Sequence, residues 1–127
     1  MRTIHDHEAP EAIPIRIEAD DVSEAHGCAS HVYRLEYLVS GSMEGDALDG
    51  QEISFMRGGR AEPDSVPGVT NEALLAVVID RLRCFQAGGF SCRENAIALT
   101  HLETGMLWLK QRAAERARRG VLGKAER

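Results

Sequence analysis

The sequence has few aromatic residues, few cysteines and no long apolar run. Only 5% of its 127 residues are aromatic, so few large side chains are available for a core, and we expect self-association to complete that core. The three cysteines form no CxxC pair, which indicates reduced thiols in an intracellular protein. No segment approaches the ~18 apolar residues of a membrane-spanning helix. The first ten residues lack the apolar stretch of a signal peptide.

The sequence also lacks the short motifs of the common enzyme classes. It contains no GxSxG, HExxH, GxGxxG or Walker loop. The best metal-like groups are His5 with His7, and Cys28 with His26 and His31. Such a terminal histidine pair is more often a solvated tail, and structural zinc prefers four ligands at tighter spacing. We therefore predict that the protein has no catalytic residue, metal or cofactor. The alternative is a metal-dependent phosphodiesterase that uses these histidines as metal ligands.

Charge is distributed unevenly along the chain. Residues 1–69 contain 14 acidic and 5 basic residues, whereas residues 70–127 contain 6 acidic and 10 basic residues. The basic excess is concentrated in 104–127, so an anionic partner is expected to meet the C-terminal segment. The overall net charge of -5 argues against a general DNA-binding protein, which needs a broad basic surface to displace counterions.

The first half of the chain has the period-two pattern of β-strands. Apolar residues alternate with polar ones over 13–17, 33–39 and 51–56, which predicts one apolar face on a small antiparallel sheet within 12–60. Pro14 places the first strand at an edge or marks its beginning. The polar, glycine-rich stretch 40–50 is predicted to be a loop.

A helical period replaces this pattern after the proline-rich segment 61–69. Thr70 or Asn71 can cap a first helix, whose apolar stripe is wider than one face and predicts burial on two sides. Gly88 and Gly89 end this helix. Ser91 and Glu94 have the spacing of a capping box, which predicts a second helix over 92–119.

These elements predict an α+β protein in which a small N-terminal antiparallel β-sheet precedes a long antiparallel helical hairpin. The second helix is longer than the first, so its last turns overhang with Leu107, Trp108 and Leu109. We expect a second copy of the chain to cover this overhang, so that the protein oligomerises through its helices. The predicted segments form one compact unit: a variable N-terminal segment 1–29, a small β part 30–69, and the helical hairpin with its basic tail 70–127.

Several side chains near the helical turn suit an anionic or aromatic ligand. Aromatic rings stack on nucleobases, amides read base edges and guanidinium groups bind phosphate through two bonds. A second group, Arg112 and Arg116, has i, i+4 spacing on the later helix. The alternatives are that Phe85 is a core residue and that the arginines form a solvated helix end. The residues around the turn are Arg81, Phe85, Phe90, Arg93 and Asn95.

Several segments taken together resemble the helical hairpin that phage Thoeris anti-defence proteins of the first type share with phage anti-CBASS proteins of the second type. Gln51–Phe55 (QEISF) resembles the β-containing part of the Thoeris anti-defence branch. The resemblance covers 50–121, is weaker over 30–49 and is absent over 1–29. The segments that carry it are GVTNEALL at 68–75, IDRLRCFQAG at 79–88, CRENA at 92–96, Trp108–Leu109 with Arg112, and Arg119–Val121.

The resemblance implies sequestration without catalysis. Proteins of this family bind cyclic nucleotide alarm signals of bacterial immunity, namely cyclic ADP-ribose isomers and, in some members, cyclic di- and trinucleotides. They assemble through their helices as dimers, often as trimers of dimers. For this protein the resemblance therefore implies self-association and a location in the host bacterial cytoplasm. It implies no membrane partner and no specific DNA partner. The implied ligand-binding residues are Phe85 for stacking on adenine, Asn95 for its edge or the ribose, Arg60 from the sheet side, Arg81 as a further member, and Arg112 and Arg116 as phosphate ligands at a second site.

One alternative function remains open at this point. The basic helix end could belong to a small phage regulatory or assembly protein that binds nucleic acid or protein. This alternative predicts salt-dependent DNA binding that involves Arg112 and Arg116 and does not involve Phe85.

Overall fold

The computed structural model describes residues 1–11, 13–39, 47–59 and 62–120. The chain divides into two compact units, one comprising Met1–Arg57 with Val66–Gly68 and the other Gly58–Ser65 with Val69–Arg127. Within the described ranges, no helix is both long and apolar enough to cross a membrane. The division of the chain at residues 29 and 69 stays a prediction.

The first unit contains a four-stranded antiparallel sheet. Its strands β1 to β4 follow one another in space in chain order, so each pairs with its neighbour in the sequence. Together with the two helices described below, this sheet confirms the predicted α+β class. The strands are β1 Arg2–Ile4, β2 Ile15–Ala19, β3 Val32–Val39 and β4 Ala47–Ser54.

Two features of the sheet differ from the sequence-based prediction. Strand β1 was not predicted, because three residues are too few to show an alternating pattern; it forms because Thr3 pairs with Glu18 of β2. Strand β4 begins inside the predicted loop 40–50, because pairing of Leu48 with Leu38 continues the β3–β4 ladder. Residues 40–46 of that loop lie outside the described part of the chain. Pro14 precedes β2, which is an inner strand of the sheet.

The register places apolar side chains of adjacent strands on the same face. Ile17 lies opposite Leu35, and Ala19, which is buried, lies opposite Tyr33. Phe55 adds an edge-to-face contact with Tyr33, with ring centroids 5.6 Å apart. This face is therefore where the small core of the first unit sits.

A close backbone approach explains Gly68, the first residue of the hairpin motif. A Cβ atom at this position would overlap main-chain atoms of Ser54, Phe55 and Met56. A larger residue would therefore force these backbones apart, so the glycine is required by the fold of the first unit.

Asp20 anchors the turn between β2 and β3. Its Oδ1 accepts hydrogen bonds from the backbone N–H groups of His31 at 2.8 Å and Val32 at 3.2 Å, and its Oδ2 lies 3.7 Å from Arg57. Desolvation raises the pKa of Asp20, but the two backbone N–H groups and the Arg57 charge outweigh it, so its pKa lies below the ordinary value of 3.8. The ionised carboxylate therefore stabilises the folded sheet.

We expect Asp20→Asn to reduce the free energy of unfolding by about 1 kcal/mol at neutral pH, because the neutral amide loses the charge-assisted part of these bonds. Because folding lowers the pKa of Asp20, its contribution is complete above pH 3.8 and is lost as pH falls through the folded-state value. Urea unfolding of the wild type and of Asp20→Asn should therefore show a difference in the free energy of unfolding that decreases as the pH falls from 7 to 3. Asp21→Asn is the matched control, since the exposed Asp21 pairs with the exposed N-terminus; an equal loss in this control would contradict the role of Asp20.

The second unit contains the predicted pair of helices. Helix α1 spans Asn71–Ala87 and begins after Thr70, whose hydroxyl accepts a hydrogen bond from the Ala73 N–H at 3.1 Å. Helix α2 spans Arg93–Arg118. The predicted capping box at Ser91 is wrong, because the N-cap is Cys92, whose sulfur accepts from the Asn95 N–H at 3.4 Å.

The two helices bury a narrow contact surface. Ile79 of α1 is 4% exposed and Met106 of α2 is 9% exposed, and Arg83 pairs with Glu103 at 2.7 Å across the hairpin. The prediction that α1 is buried on two sides is wrong for the single chain, since Val77 and Val78 are exposed. Only one stripe of each helix faces its neighbour.

The long helix carries large apolar side chains outside this contact. Leu107 is 67% exposed and Trp108 is 70% exposed, so Leu107 does not belong to the buried stripe in which its neighbour Met106 lies. An exposed tryptophan beside an exposed leucine is characteristic of an interaction surface. The single chain therefore leaves part of α2 without an apolar partner.

Candidate ligand site at the helical turn

The end of helix α1 places two aromatic rings beside each other at the turn. Phe85 lies in the last turn of α1 and Phe90 in the segment that leads to α2. Their rings meet edge to face, with centroids 6.1 Å apart. Phe85 is half-buried and Phe90 is 75% exposed, so the pair borders solvent at the tip of the hairpin.

A guanidinium group lies over one of these rings. Arg81 precedes Phe85 by one helical turn, and its Cζ lies 5.3 Å from the centre of the Phe85 ring. This contact orients a positive charge at the aromatic surface, where an anionic group attached to a stacked base would meet it. A base that stacks on Phe85 must therefore either use the other face of the ring or displace Arg81.

Asn95 completes the group from the first turn of α2. The Cys92 cap holds its backbone N–H, and its side-chain Nδ2 donates a hydrogen bond of 3.5 Å to the Phe90 carbonyl. Within the described part of the chain its Oδ1 accepts no hydrogen bond, so this oxygen can receive the amino group of a base or a ribose hydroxyl. The structure thus brings Arg81, Phe85 and Asn95 together at one end of the hairpin.

A glutamine that sequence analysis missed connects the two sides of this turn. The side chain of Gln86 accepts from the Cys92 N–H at 3.1 Å and donates to the Cys92 carbonyl at 3.2 Å. No sequence motif distinguishes such a residue, because a glutamine in the last turn of a helix normally faces solvent.

The late-helix arginines do not join this group within one chain. Arg112 follows Asn95 by 17 positions on the same straight helix, which places it about 25 Å away along the axis. Arg112 is exposed, Arg116 is half-buried, and their neighbour Arg119 pairs with Glu115 at 2.9 Å. Within one chain, these arginines therefore lie apart from the group at the turn.

Arg60, the remaining residue implied by the resemblance, lies outside the described residues. The ligand-binding roles of the six implied residues stay predictions. These residues are Arg60, Arg81, Phe85, Asn95, Arg112 and Arg116.

Three of the four histidines considered as metal ligands have hydrogen-bond partners within the described part of the chain. His5 pairs with Glu8 at 2.9 Å, the ring of His7 contacts the Ile15 carbonyl, and His26 contacts the Ser23 hydroxyl at 2.8 Å. Among the residues that the structure describes, no three His, Cys, Asp or Glu side chains are grouped as metal ligands.

The sequence of the hairpin region matches a known family. The model of the Acb2/Tad1 hairpin domain matches residues 51–114, which is half of the chain. The chain belongs to this family. The resemblance to phage anti-defence hairpin proteins is thereby confirmed. The family match includes Arg81, Phe85, Asn95 and Arg112 and ends before Arg116.

A curated relative agrees with the family match. The protein named Thoeris anti-defense 1, from Bacillus phage SBSphiJ7, is 55% identical over 60 residues. The matched region is 47% of this chain and 42% of the relative, so the similarity spans less than half of the relative's length. This member of the Acb2/Tad1 hairpin family thus shares with that relative a segment about as long as its hairpin.

Proposed function

We propose that this protein binds cyclic nucleotide immune signals inside the host bacterium and sequesters them without degrading them. The observation that carries the proposal is the grouping of Arg81, Phe85 and Asn95 at the tip of an Acb2/Tad1 hairpin. These side chains offer an aromatic face, a positive charge and an amide, which are complementary to the parts of an adenine nucleotide. The name of the Bacillus phage relative supports an anti-defence role against Thoeris.

The energetic requirement of sequestration can be met by such a site. A nanomolar dissociation constant corresponds to about -12 kcal/mol. A stacked base contributes about 1–3 kcal/mol and each charge-assisted hydrogen bond about 1.5–3 kcal/mol. One base with several phosphate contacts in a rigid site reaches this range, and no catalytic group is needed.

Each residue has a distinct role in the proposal. Phe85 stacks on the adenine, Asn95 binds its edge or the ribose, and Arg60 and Arg81 are further members of the same site. The ligands are cyclic ADP-ribose isomers. A second site at Arg112 and Arg116 binds cyclic di- or trinucleotides, because guanidinium groups one helical turn apart suit a ring with two or three phosphates.

The proposed assembly forms through the outward faces of the helices. Trp108, Leu107 and Val77 are exposed on the hairpin, and burial of such side chains against a second copy removes them from water. We propose a dimer, with a trimer of dimers as the larger assembly.

The direct test is retention of the ligand. Purified protein is incubated with a cyclic ADP-ribose isomer closed by a glycosidic bond, desalted and then heated, and the released nucleotide is identified by mass spectrometry. We expect the unchanged isomer in stoichiometric amount, because a sponge holds its ligand without a chemical step. Recovery of a linear or hydrolysed product would indicate an enzyme, and inhibition of that turnover by a chelator would indicate the metal-dependent phosphodiesterase.

The alternative function, a regulatory or assembly protein, has support in the basic end of α2. Exposed Arg112 and Arg118 lie there, and cations at a helix C-terminus also suit a phosphate backbone. Duplex DNA binding that weakens steeply with salt and with Arg112→Ala, but not with Phe85→Ala, would favour this alternative.

A further inference from the structure

The connection between the two helices has little structure of its own. It runs from Gly88 to Cys92, and it includes two adjacent glycines. A Cβ atom added at Gly89 would meet nothing within 4 Å, so the space beside this glycine is open. The relative position of Phe85, before the connection, and Asn95, after it, must therefore be maintained by contacts across it.

The Gln86 amide makes the most complete of these contacts. It binds both main-chain polar groups of Cys92, at 3.1 Å and 3.2 Å, much as a neighbouring β-strand would. Cys92 is also the N-cap of α2, so its position determines where the first turn of α2 begins. Gln86 thus links the last turn of α1, next to Phe85, to the residue that holds the Asn95 N–H.

We infer that Gln86 is a positioning residue that preorganises the site between Phe85 and Asn95. This inference rests on the proposed function, because it concerns the same ligand. Gln86 itself touches Cys92 and not the ligand, so it acts by holding the distance between the ring and the amide before the ligand arrives. Without the Gln86 contact, the connection between the helices must become ordered when the ligand binds. The entropy lost in this ordering weakens the affinity for the ligand.

The contact between Gln86 and Cys92 is exposed to solvent. Its loss should therefore change the affinity for the ligand without changing the stability of the hairpin. Cys92 is exposed, so water can replace both hydrogen bonds when the Gln86 amide is removed. The folded hairpin, held by its buried stripe around Ile79 and Met106, should therefore melt at an unchanged temperature. A change in affinity without a change in melting is the signature of a positioning residue.

The test uses Gln86→Met, which keeps the length of the side chain and its helix propensity but removes both hydrogen bonds. We expect the dissociation constant for the cyclic ADP-ribose isomer to rise about tenfold, measured by calorimetry on the full chain. We expect the Cys92 and Asn95 amides to exchange hydrogen faster, with the same melting temperature. Gln111→Met, on an exposed position of α2, is the matched control and should bind as the wild type does.

A second variant gives a readout that a purely structural role would not produce. Gln86→Glu keeps the acceptor for the Cys92 N–H but places an ionised oxygen against the Cys92 carbonyl. Because an ordinary glutamate has a pKa of about 4.3, lowering the pH from 7 to 5 restores part of the donor and should tighten binding in this variant but not in the wild type.

The outcomes distinguish this inference from the function on which it rests. If Gln86→Met binds within twofold of the wild type while Phe85→Ala binds poorly, the positioning role is wrong and the sponge function stands. Loss of affinity that accompanies loss of folding, without pH-dependent recovery in Gln86→Glu, also overturns the positioning role. If the wild type itself retains no isomer, the proposed function fails and the inference fails with it.

Discussion

Phe85→Ala is expected to weaken binding of the cyclic ADP-ribose isomer about 10- to 100-fold, because the stacked adenine loses about 1–3 kcal/mol. The ring is well placed for this role: it is half-buried, the Arg81 Cζ lies 5.3 Å from its centre, and Phe90 packs against it edge to face. Calorimetric titration of the purified variant measures the change directly. Asn95→Ala should cause a smaller loss of about tenfold, since one or two hydrogen bonds are removed.

Two further substitutions at the same position separate stacking from packing. Phe85→Tyr keeps the aromatic face and should bind nearly as the wild type does. Phe85→Leu keeps the apolar volume that α1 needs but has no ring, so it should lose almost as much affinity as Phe85→Ala. If Phe85→Leu and Asn95→Ala both retain full affinity, the assignment of this site is wrong, and Phe85 is a packing residue at the end of the helix.

Trp108→Glu is expected to convert the proposed dimer into a monomer of 13.9 kDa. Trp108 is 70% exposed in the single chain. A tryptophan at the centre of an interface commonly contributes about 2–4 kcal/mol to the free energy of association. In a twofold-symmetric dimer each substitution occurs twice, so the dimer should dissociate about a thousandfold more readily. Analytical ultracentrifugation over a range of concentrations measures this change.

Two controls accompany this prediction. One keeps an aromatic ring at position 108, and the other adds a negative charge at a different position. Trp108→Phe keeps a large apolar side chain and should still assemble. Gln51→Glu adds the same negative charge to an exposed position of β4 and should leave the assembly intact. A wild-type protein that sediments as a monomer at every concentration, or a Trp108→Glu variant that assembles as the wild type does, would show that this face is not the interface.

Local signals account for what the sequence predicted correctly. The ends of α1 follow from neighbouring residues, because Thr70 caps its start and a glycine pair follows Ala87. The apolar period of the two helices places Ile79 and Met106 in the buried stripe. The family was likewise predictable, because the segments that carry the resemblance, apart from Arg119–Val121, lie in the contiguous stretch 51–114 that the family model matches. Strand β3 was visible because apolar residues occupy every second position from Tyr33 to Val39.

Other features depend on residues that are distant in the sequence, and local patterns do not contain them. Strand β1 exists only because β2 pairs with it, and β4 extends back to Ala47 only because β3 provides partners. The N-cap of α2 is Cys92 and not Ser91, and the Gln86 side chain of the other helix binds the Cys92 main chain, a contact that the pattern around Ser91 does not reveal. Serine is a strongly preferred N-cap residue, so the local pattern favours Ser91 and contains no sign of this contact.

The sequence by itself determined the α+β class, the hairpin, the family and the residue types available for a ligand, because periodicity, caps and motif spacing are properties of neighbouring residues. Only the tertiary structure decided that Arg81 lies over Phe85, that Asn95 reaches the same turn, and that the late-helix arginines do not. It also decided which apolar residues lack a partner: Trp108 and Met106 look equally apolar in the sequence, but helix packing buries one and exposes the other. The physical reason is that burial depends on what lies opposite a residue in space, which spacing along the chain does not specify.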